Sequence, residues 1–393
     1  MTRNGWAGYD PYDLRQLLLR VAPRSKLVQT ALRRATLLSE WFFPMVPRRL
    51  LRVPKQVNAK AMGLFAAGYQ ILYEATGEEG YLDRAQEALT WLEENACEGC
   101  MGLCWGHPFD WQSRMFIPRA TPSSVVSAIA GDAFWRFYQM TGCRRYLASC
   151  QSVCDFFMND LNVDELGEDA ICFSKTPLDH FHIHNGNLFV ADFLLKVGKA
   201  LPREDYVRMA WKALTYTLGE QRTDGSICYW GRDQDEGCKI DHYHTGFEIR
   251  CLYSIWKSTG DERVHSALKD YYRFYCEKLF TSQAIPKMTP RSLYPVNIHS
   301  CAEAILCHST VAADFPEAQR YLRQCVPWVI KTMQHPEGWF IYAIRNIAGS
   351  AQWKVKIPYI RWGQAWMLRA LAQYYSLLSA DAVSSEAGEE EQH

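Results

Sequence analysis

The sequence repeats itself. Thr76-Gly77, Thr141-Gly142 and Thr259-Gly260 each sit between two stretches of helical periodicity, and polar residues after each Gly start the next helix. A Gly in that position supplies the left-handed residue that closes a helix. Gly77 and Gly142 are 65 residues apart and Gly142 and Gly260 are 118 apart, so the step is about 60 residues. One unit is then missing near residue 200, where Gly198 precedes KALPREDYVRMAWKAL. Another is missing near 315, where DFPEAQRYLRQCVPWVIK opens with Pro316 at a favoured first-turn position. Such a period fits two helices and a long loop, and units of that kind bury their apolar faces only against their neighbours. A chain of 393 residues can therefore be one domain, although its length alone suggests two or three.

The first helix of each pair spans roughly 57–75, 122–140, 186–199, 245–258, 299–312 and 362–378. These stretches are poor in charge and apolar nearly all round, as in GLFAAGYQILY, and such helices are buried. Their partners at about 79–95, 144–160, 203–220, 262–280 and 316–334 are amphipathic and belong outside. The expected fold is all-α: an (α/α)6 toroid over residues 1–378, with short β-hairpins in the loops between repeats. Only five outer partners are visible, so the segment 11–42 is expected to close the ring, with Pro23 breaking it in two. Four aromatic stretches, GLCWGH (102–107), AICFSK (170–175), SICYWG (226–231) and GWFIYAI (338–344), read as hairpin strands. The acidic tail 379–393 is expected to be disordered.

Charge excludes some functions. Lys plus Arg and Asp plus Glu number 43 each, so the whole-chain balance offers no electrostatic case for nucleic acid or an anionic membrane. No apolar run is long enough to span a membrane. No secretory signal pattern is visible, which points to the cytoplasm and to free thiols among the 14 Cys. Cys97, Cys100 and Cys104 form C-x2-C-x3-C, to which His107 could add a fourth metal ligand. No second CxxC follows, so the cluster reads as incidental, and no metal or cofactor is expected. The surplus of Trp and Tyr has two readings, thick helix packing or flat platforms for sugar rings.

The loops between pairs run 20 to 30 residues, and loops this long in a compact domain are usually functional. Each ends in polar groups at the start of an inner helix: DWQSRMFIPRATPSS, LDHFHIHNGN, DHYHTGFE, YPVNIHS and KIPYIRWGQAW. Parallel inner helices bring these termini to one rim, where free N–H groups suit hydroxyls and carboxylates. The expected catalytic residues are Asp110, Asp241, Glu248, Tyr243 and His244. The expected saccharide contacts are Trp111, Arg114, Arg119, His184, Asn185, Asn187, Tyr229, Trp230, Asn297, His299, Tyr359, Arg361 and Trp362. Each has a plainer alternative: Asn185 and Asp241 could be helix caps, and Arg361 could pin a loop. Alternating histidines in HFHIHN and DHYH could bind a metal, but no helical HxxxH spacing occurs, and hydrogen bonds to a sugar suit them better.

Glycoside hydrolysis needs two carboxylates roughly 5–9.5 Å apart, and Asp110, Asp179, Asp241 and Glu248 are the candidates. Elimination or C5 epimerisation of a uronate needs instead a Tyr or His base and cations for the carboxylate, which Tyr243, His244, Tyr359, Arg119 and Arg361 could supply. Neither the DDxxD nor the DxDD run of terpenoid-processing toroids is present.

FIPRATPS, DGSICYWG leading into DHYHTGF, and PYIRWGQAW together resemble VpsJ-like proteins of bacterial exopolysaccharide clusters, over residues 57–378. More distantly the layout resembles the six-hairpin glycosidase-like toroids. The resemblance implies an (α/α)6 fold and a carbohydrate context, with an oligo- or polysaccharide as partner, and it transfers no catalytic residue. On this reading the chain is a glycoside hydrolase-like protein of exopolysaccharide metabolism; a uronate lyase, a C5-epimerase or a non-catalytic glycan-binding protein are the alternatives. Oligomeric state stays open.

Overall fold

A computed structural model describes residues 5–15, 26–235, 237–347, 349 and 351–390. Among the described residues, six inner helices form a ring: α3 (Ala59–Thr76), α5 (Ser124–Thr141), α7 (His184–Ala200), α9 (His242–Thr259), α11 (Ile298–Val311) and α13 (Trp366–Glu390). Each packs on the next, and α13 returns to α3. Outer helices α4 (Glu79–Glu94), α6 (Arg144–Asn159), α8 (Glu204–Gly219), α10 (Glu262–Lys278) and α12 (Ala318–Met333) each lie against the inner helix before them. This is the expected (α/α)6 toroid.

Local chemistry explains the boundaries. Gly77, Gly142 and Gly260 end α3, α5 and α9 with φ near +70°, at 71°, 66° and 69°, a conformation costly for residues with a Cβ. Gly198 behaves differently. It stays inside α7, where a Cβ would meet Tyr206 at 3.0 Å, so it serves close packing of α7 on α8 rather than a turn. Asn58, Asp241 and Asn297 cap α3, α9 and α11, accepting from the N–H groups of Lys60, His244 and Ser300 at 2.9–3.0 Å.

Among the described residues the inner ring is closed by α13 on α3 rather than by the N-terminal segment, whose contacts lie elsewhere. Its described helices, α1 (Lys26–Phe42) and α2 (Met45–Leu50), sit beside a hairpin: Trp353 donates to the Trp41 carbonyl at 2.8 Å and its ring lies 5.4 Å from Phe42. Pro23 lies outside the described residues. At the other terminus α13 continues to Glu390, into the stretch expected to be disordered from 379.

The strands fall elsewhere than expected, with one exception. β3 (Val163–Gly167) pairs with β4 (Ala170–Phe173) as read from AICFSK. β1 (Trp111–Gln112) pairs with β2 (Phe116–Ile117), and β5 (Val296–Asn297), β6 (Ala343–Ile347) and β7 (Ala351–Val355) form a three-stranded sheet. GLCWGH retains only a single bridge, Gly106 to Pro122, and the N–H groups of Leu103 and Trp105 go instead to the hydroxyls of Ser152 and Ser127 at 2.9 and 3.0 Å. SICYWG retains only a single bridge, Trp230 to Ile183. In GWFIYAI only Ala343 and Ile344 enter β6.

Cysteine usage also departs from the expectation of free thiols alone. Cys228 and Cys238 form a disulfide that closes the loop carrying Tyr229 and Trp230. The remaining twelve are free, eight of them buried. His107 does not join the Cys97–Cys104 cluster: it stacks on Phe109 with ring centres 5.0 Å apart and faces Asn58.

Candidate active site

The starts of the inner helices surround a cavity of about 400 Å³. Asp241 lines it as the N-cap of α9. One carboxylate oxygen accepts from the His244 backbone N–H at 3.0 Å, and the other meets His244 Nδ1 at 2.7 Å. That bond leaves Nε2 as the ring nitrogen available to a ligand. The Tyr243 ring stacks on His299 at 4.4 Å, nearly parallel, and lies 4.3 Å from His244. His299 starts α11, is buried, and neither ring nitrogen has a partner. Burial pushes its pKa well below the usual range, and Lys60, Arg361 and His244 add to the effect, so it is a neutral imidazole.

Arg361 and Trp362 enter from the π-helical turn Ile360–Ala365, where Gln364 N–H reaches back five residues to the Tyr359 carbonyl at 3.1 Å. Such turns are often found at functional sites. Arg361 is pinned by both oxygens of buried Asp10, at 2.6 and 2.9 Å. Trp111, Asn185, Tyr229 and Trp230 complete the predicted residues that line the cavity. The Asn185 side-chain oxygen is buried without a partner.

Other predicted residues lie away from this lining. Glu248 is buried on α9 and accepts a hydrogen bond from the Tyr271 hydroxyl on α10. Burial holds its carboxyl well above the usual range, so it sits protonated in the wall. Asp110 accepts from the Arg119 backbone N–H at 2.8 Å and braces the β1–β2 loop, and the Arg119 side chain is exposed. Asp179 accepts from the N–H groups of Lys175, Thr176 and Phe181. Arg114 lies 3.7 Å over the Trp230 ring and donates to the Gln234 carbonyl, tying two loops together. His184 stacks on Tyr216 behind α7, and burial lowers its pKa to about 3. Asn187 bonds the Phe173 N–H and the Ala213 carbonyl, and Asn297 is a cap. Tyr359 donates to Glu40 at 3.0 Å beneath the cavity wall. The histidines of HFHIHN do not converge on a metal; His182 bridges Asp164 and Asp233 at 2.9 and 2.8 Å.

The lining also contains residues that sequence reasoning missed: Tyr12, Lys60, His107, Phe109, Lys175 and Lys239. Lys60 carried a signal, being the lone charge in the stretch AKAMGLFAAGY of the inner helix α3. It is buried, and its Nζ lies 5.5 and 5.3 Å from the Phe247 and Trp366 ring centres. Lys175 lies 4.5 Å over the Trp111 ring. Among the described residues neither lysine has an ion-pair partner, and Asp241 is the one carboxylate in the lining. Burial lowers both lysines, Lys60 well below its usual range and Lys175 to about 8.

Comparison with known proteins adds the fold's relatives. No family model matches the chain, and no curated protein matches it; the VpsJ-like resemblance gains no support from either. Solved structures do match. A cellobiose 2-epimerase from Bacillus thermoamylovorans B4167 superposes with a TM-score of 0.61 at 11% identity, covering 82% of this chain and 90% of that one. A family 76 glycoside hydrolase from a bovine Bacteroides thetaiotaomicron strain gives 0.59 at 12% identity, over 82% and 69%. An unsaturated glucuronyl hydrolase specific for heparin gives 0.54 at 14% identity, over 82% and 87%. The chain therefore shares the (α/α)6 toroid fold of these structures.

Proposed function

We propose that this protein is a carbohydrate-active enzyme that moves a proton at a carbon of an acidic saccharide held in the funnel. The observation that carries this reading is the pairing of Asp241 with His244 in a cavity whose other lining includes the basic side chains Lys60, Lys175, Lys239 and Arg361. The superposed structures named for sugar epimerisation and hydrolysis support the saccharide class. Hydrolysis through a carboxylate pair is the second reading, and it lacks a second acid in the lining among the described residues.

In the proposed reaction, His244 Nε2 takes the proton next to the sugar carboxylate, and Asp241 steadies the resulting imidazolium. The electron pair moves into the carboxylate as an enediolate, whose negative charge Lys175 neutralises and to whose oxygens the Lys60 amine donates a hydrogen bond. A proton returned to the opposite face, from the side of Tyr243 and His299, completes an epimerisation. Loss of the oxygen substituent at the next carbon, with a proton delivered to that oxygen, completes an elimination instead. Aromatic faces at Trp111, Tyr229, Trp230 and Trp362 would carry the apolar faces of the sugar rings.

The test is incubation of the purified protein with uronate oligosaccharides in deuterated water, followed by mass spectrometry and ultraviolet absorbance. Solvent deuterium at C5 or a conjugated unsaturated uronate is the expected result, lost in His244→Asn. Release of a saturated sugar without exchange would overturn proton transfer in favour of hydrolysis. Exchange in neutral reducing disaccharides alone would overturn the acidic-substrate part.

A further inference from the structure

The chain is electrically neutral overall, but one face is not. Residues 42–52 expose large apolar side chains: Leu50 is 78% exposed and Phe43 63%, with Val46 and Leu51 beside them. Leu37 and Leu38 of α1 are exposed as well. A shallow groove of about 510 Å³ runs from Phe42, Phe43 and Val46 to Trp353, Lys354 and Lys356 at β7, so the two segments form one surface. Around these apolar groups stand the exposed basic residues Arg34, Arg49, Arg52, Lys354 and Lys356. Between residues 26 and 56 the one acid is Glu40, which is buried and paired with Arg48 at 2.7 Å. Residues 351–357 contain no acid. Monomeric proteins seldom expose a contiguous apolar patch rimmed by a single sign of charge without a partner for it.

We propose that this face docks on an anionic lipid bilayer. Charge complementarity selects the occupant. A second copy joined through the same face would set these arginines and lysines against their own images, with no acid in these segments to relieve them. An anionic bilayer satisfies both parts at once: lipid phosphates take the basic rim while Phe43, Val46, Leu50 and Leu51 enter the interfacial layer. The location matters for the enzyme. β7 belongs to the sheet whose β5 leads directly into α11 and His299, so docking here keeps the funnel end of the toroid near the membrane surface.

The test is flotation of the full chain with vesicles of phosphatidylcholine alone and of phosphatidylcholine with phosphatidylglycerol. Binding is expected with the anionic vesicles, weakening as salt rises, and falling roughly tenfold or more in Arg49→Glu/Arg52→Glu. Leu50→Ser/Leu51→Ser should also weaken it. Both variants alter exposed side chains, and an unchanged melting curve confirms their fold. The proposal is overturned if the wild type ignores anionic vesicles, or if the charge-reversed variant binds them equally well. It is also overturned if the wild type is a dimer that Leu50→Ser/Leu51→Ser dissociates while vesicle binding is absent, since the face would then join two copies.

Discussion

Asp241 holds His244 twice, by the backbone N–H at 3.0 Å and by ring Nδ1 at 2.7 Å. A helix cap and an imidazole-orienting carboxylate are here the same side chain. The two roles separate on substitution. Asp241→Asn keeps a capping oxygen but no longer stabilises an imidazolium, so turnover should fall about a hundredfold or more while stability changes by about 1 kcal/mol or less. Steady-state kinetics beside a denaturant titration checks this; equal losses in both would make Asp241 a cap alone.

Lys60 is predicted to trade stability for binding. A lysine whose pKa burial holds well below its usual range, with no ion-pair partner among the described residues, raises the free energy of the fold, because the unfolded chain keeps its proton and the folded one does not. Lys60→Met, similar in shape, should stabilise the protein by about 1 kcal/mol or more and weaken binding of acidic saccharides about tenfold or more. Thermal melts and calorimetry with a uronate disaccharide decide it; a destabilised variant with unchanged binding would contradict both halves.

The Lys175 pKa near 8 gives binding a pH dependence. Below pH 8 the side chain is a cation and attracts the ligand carboxylate; above it the charge and the attraction are lost. Affinity for an acidic saccharide should therefore decline as pH rises through about 8, and Lys175→Met should flatten that step. Folding stability moves the other way. The unfolded lysine keeps its proton to higher pH than the folded one, so this residue's effect makes stability rise with pH between the two values.

Glu248 is predicted to be structural. Its carboxyl is protonated and hydrogen-bonded to Tyr271, so Glu248→Gln should preserve activity and cost about 1 kcal/mol or less. Glu248→Ala leaves a small cavity and the Tyr271 hydroxyl without this partner, and should cost about 2–3 kcal/mol. Loss of activity in the folded Gln variant would return Glu248 to the list of catalytic acids.

Arg361 and Asp10 form a buried pair across 351 residues of chain. Asp10→Ala strands the guanidinium and should cost about 3 kcal/mol or more. It should also impair saccharide binding, since Arg361 lines the cavity. Chemical denaturation and ligand titration of the variant measure the two effects together.

The repeat was legible because each unit spells out its own ends. Gly77, Gly142 and Gly260 stop helices by local sterics, and the apolar inner helices and amphipathic outer ones declare their burial by periodicity. The convergence of loop ends on one rim followed from that, so Asp241, Tyr243, His244, His299, Arg361 and Trp362 could be named in advance. The aromatic surplus could not be divided beforehand: Trp105, Tyr206 and Tyr272 pack the core, while Trp111, Tyr229 and Trp362 line the funnel.

What only the tertiary structure decided is which polar groups lack a protein partner. Asp110, Asp179 and Glu248 look like Asp241 in sequence, yet each is occupied by backbone N–H groups or a tyrosine from another segment. Lys60 and Lys175 differ from other lysines because the fold places them in the cavity lining, over the rings of Phe247, Trp366 and Trp111, with no acid near enough to pair with them. Periodicity is a local property, set by neighbours three or four residues away. Availability for chemistry depends on partners contributed by distant parts of the chain, and contacts such as Arg361 with Asp10 exist only once the ring has closed.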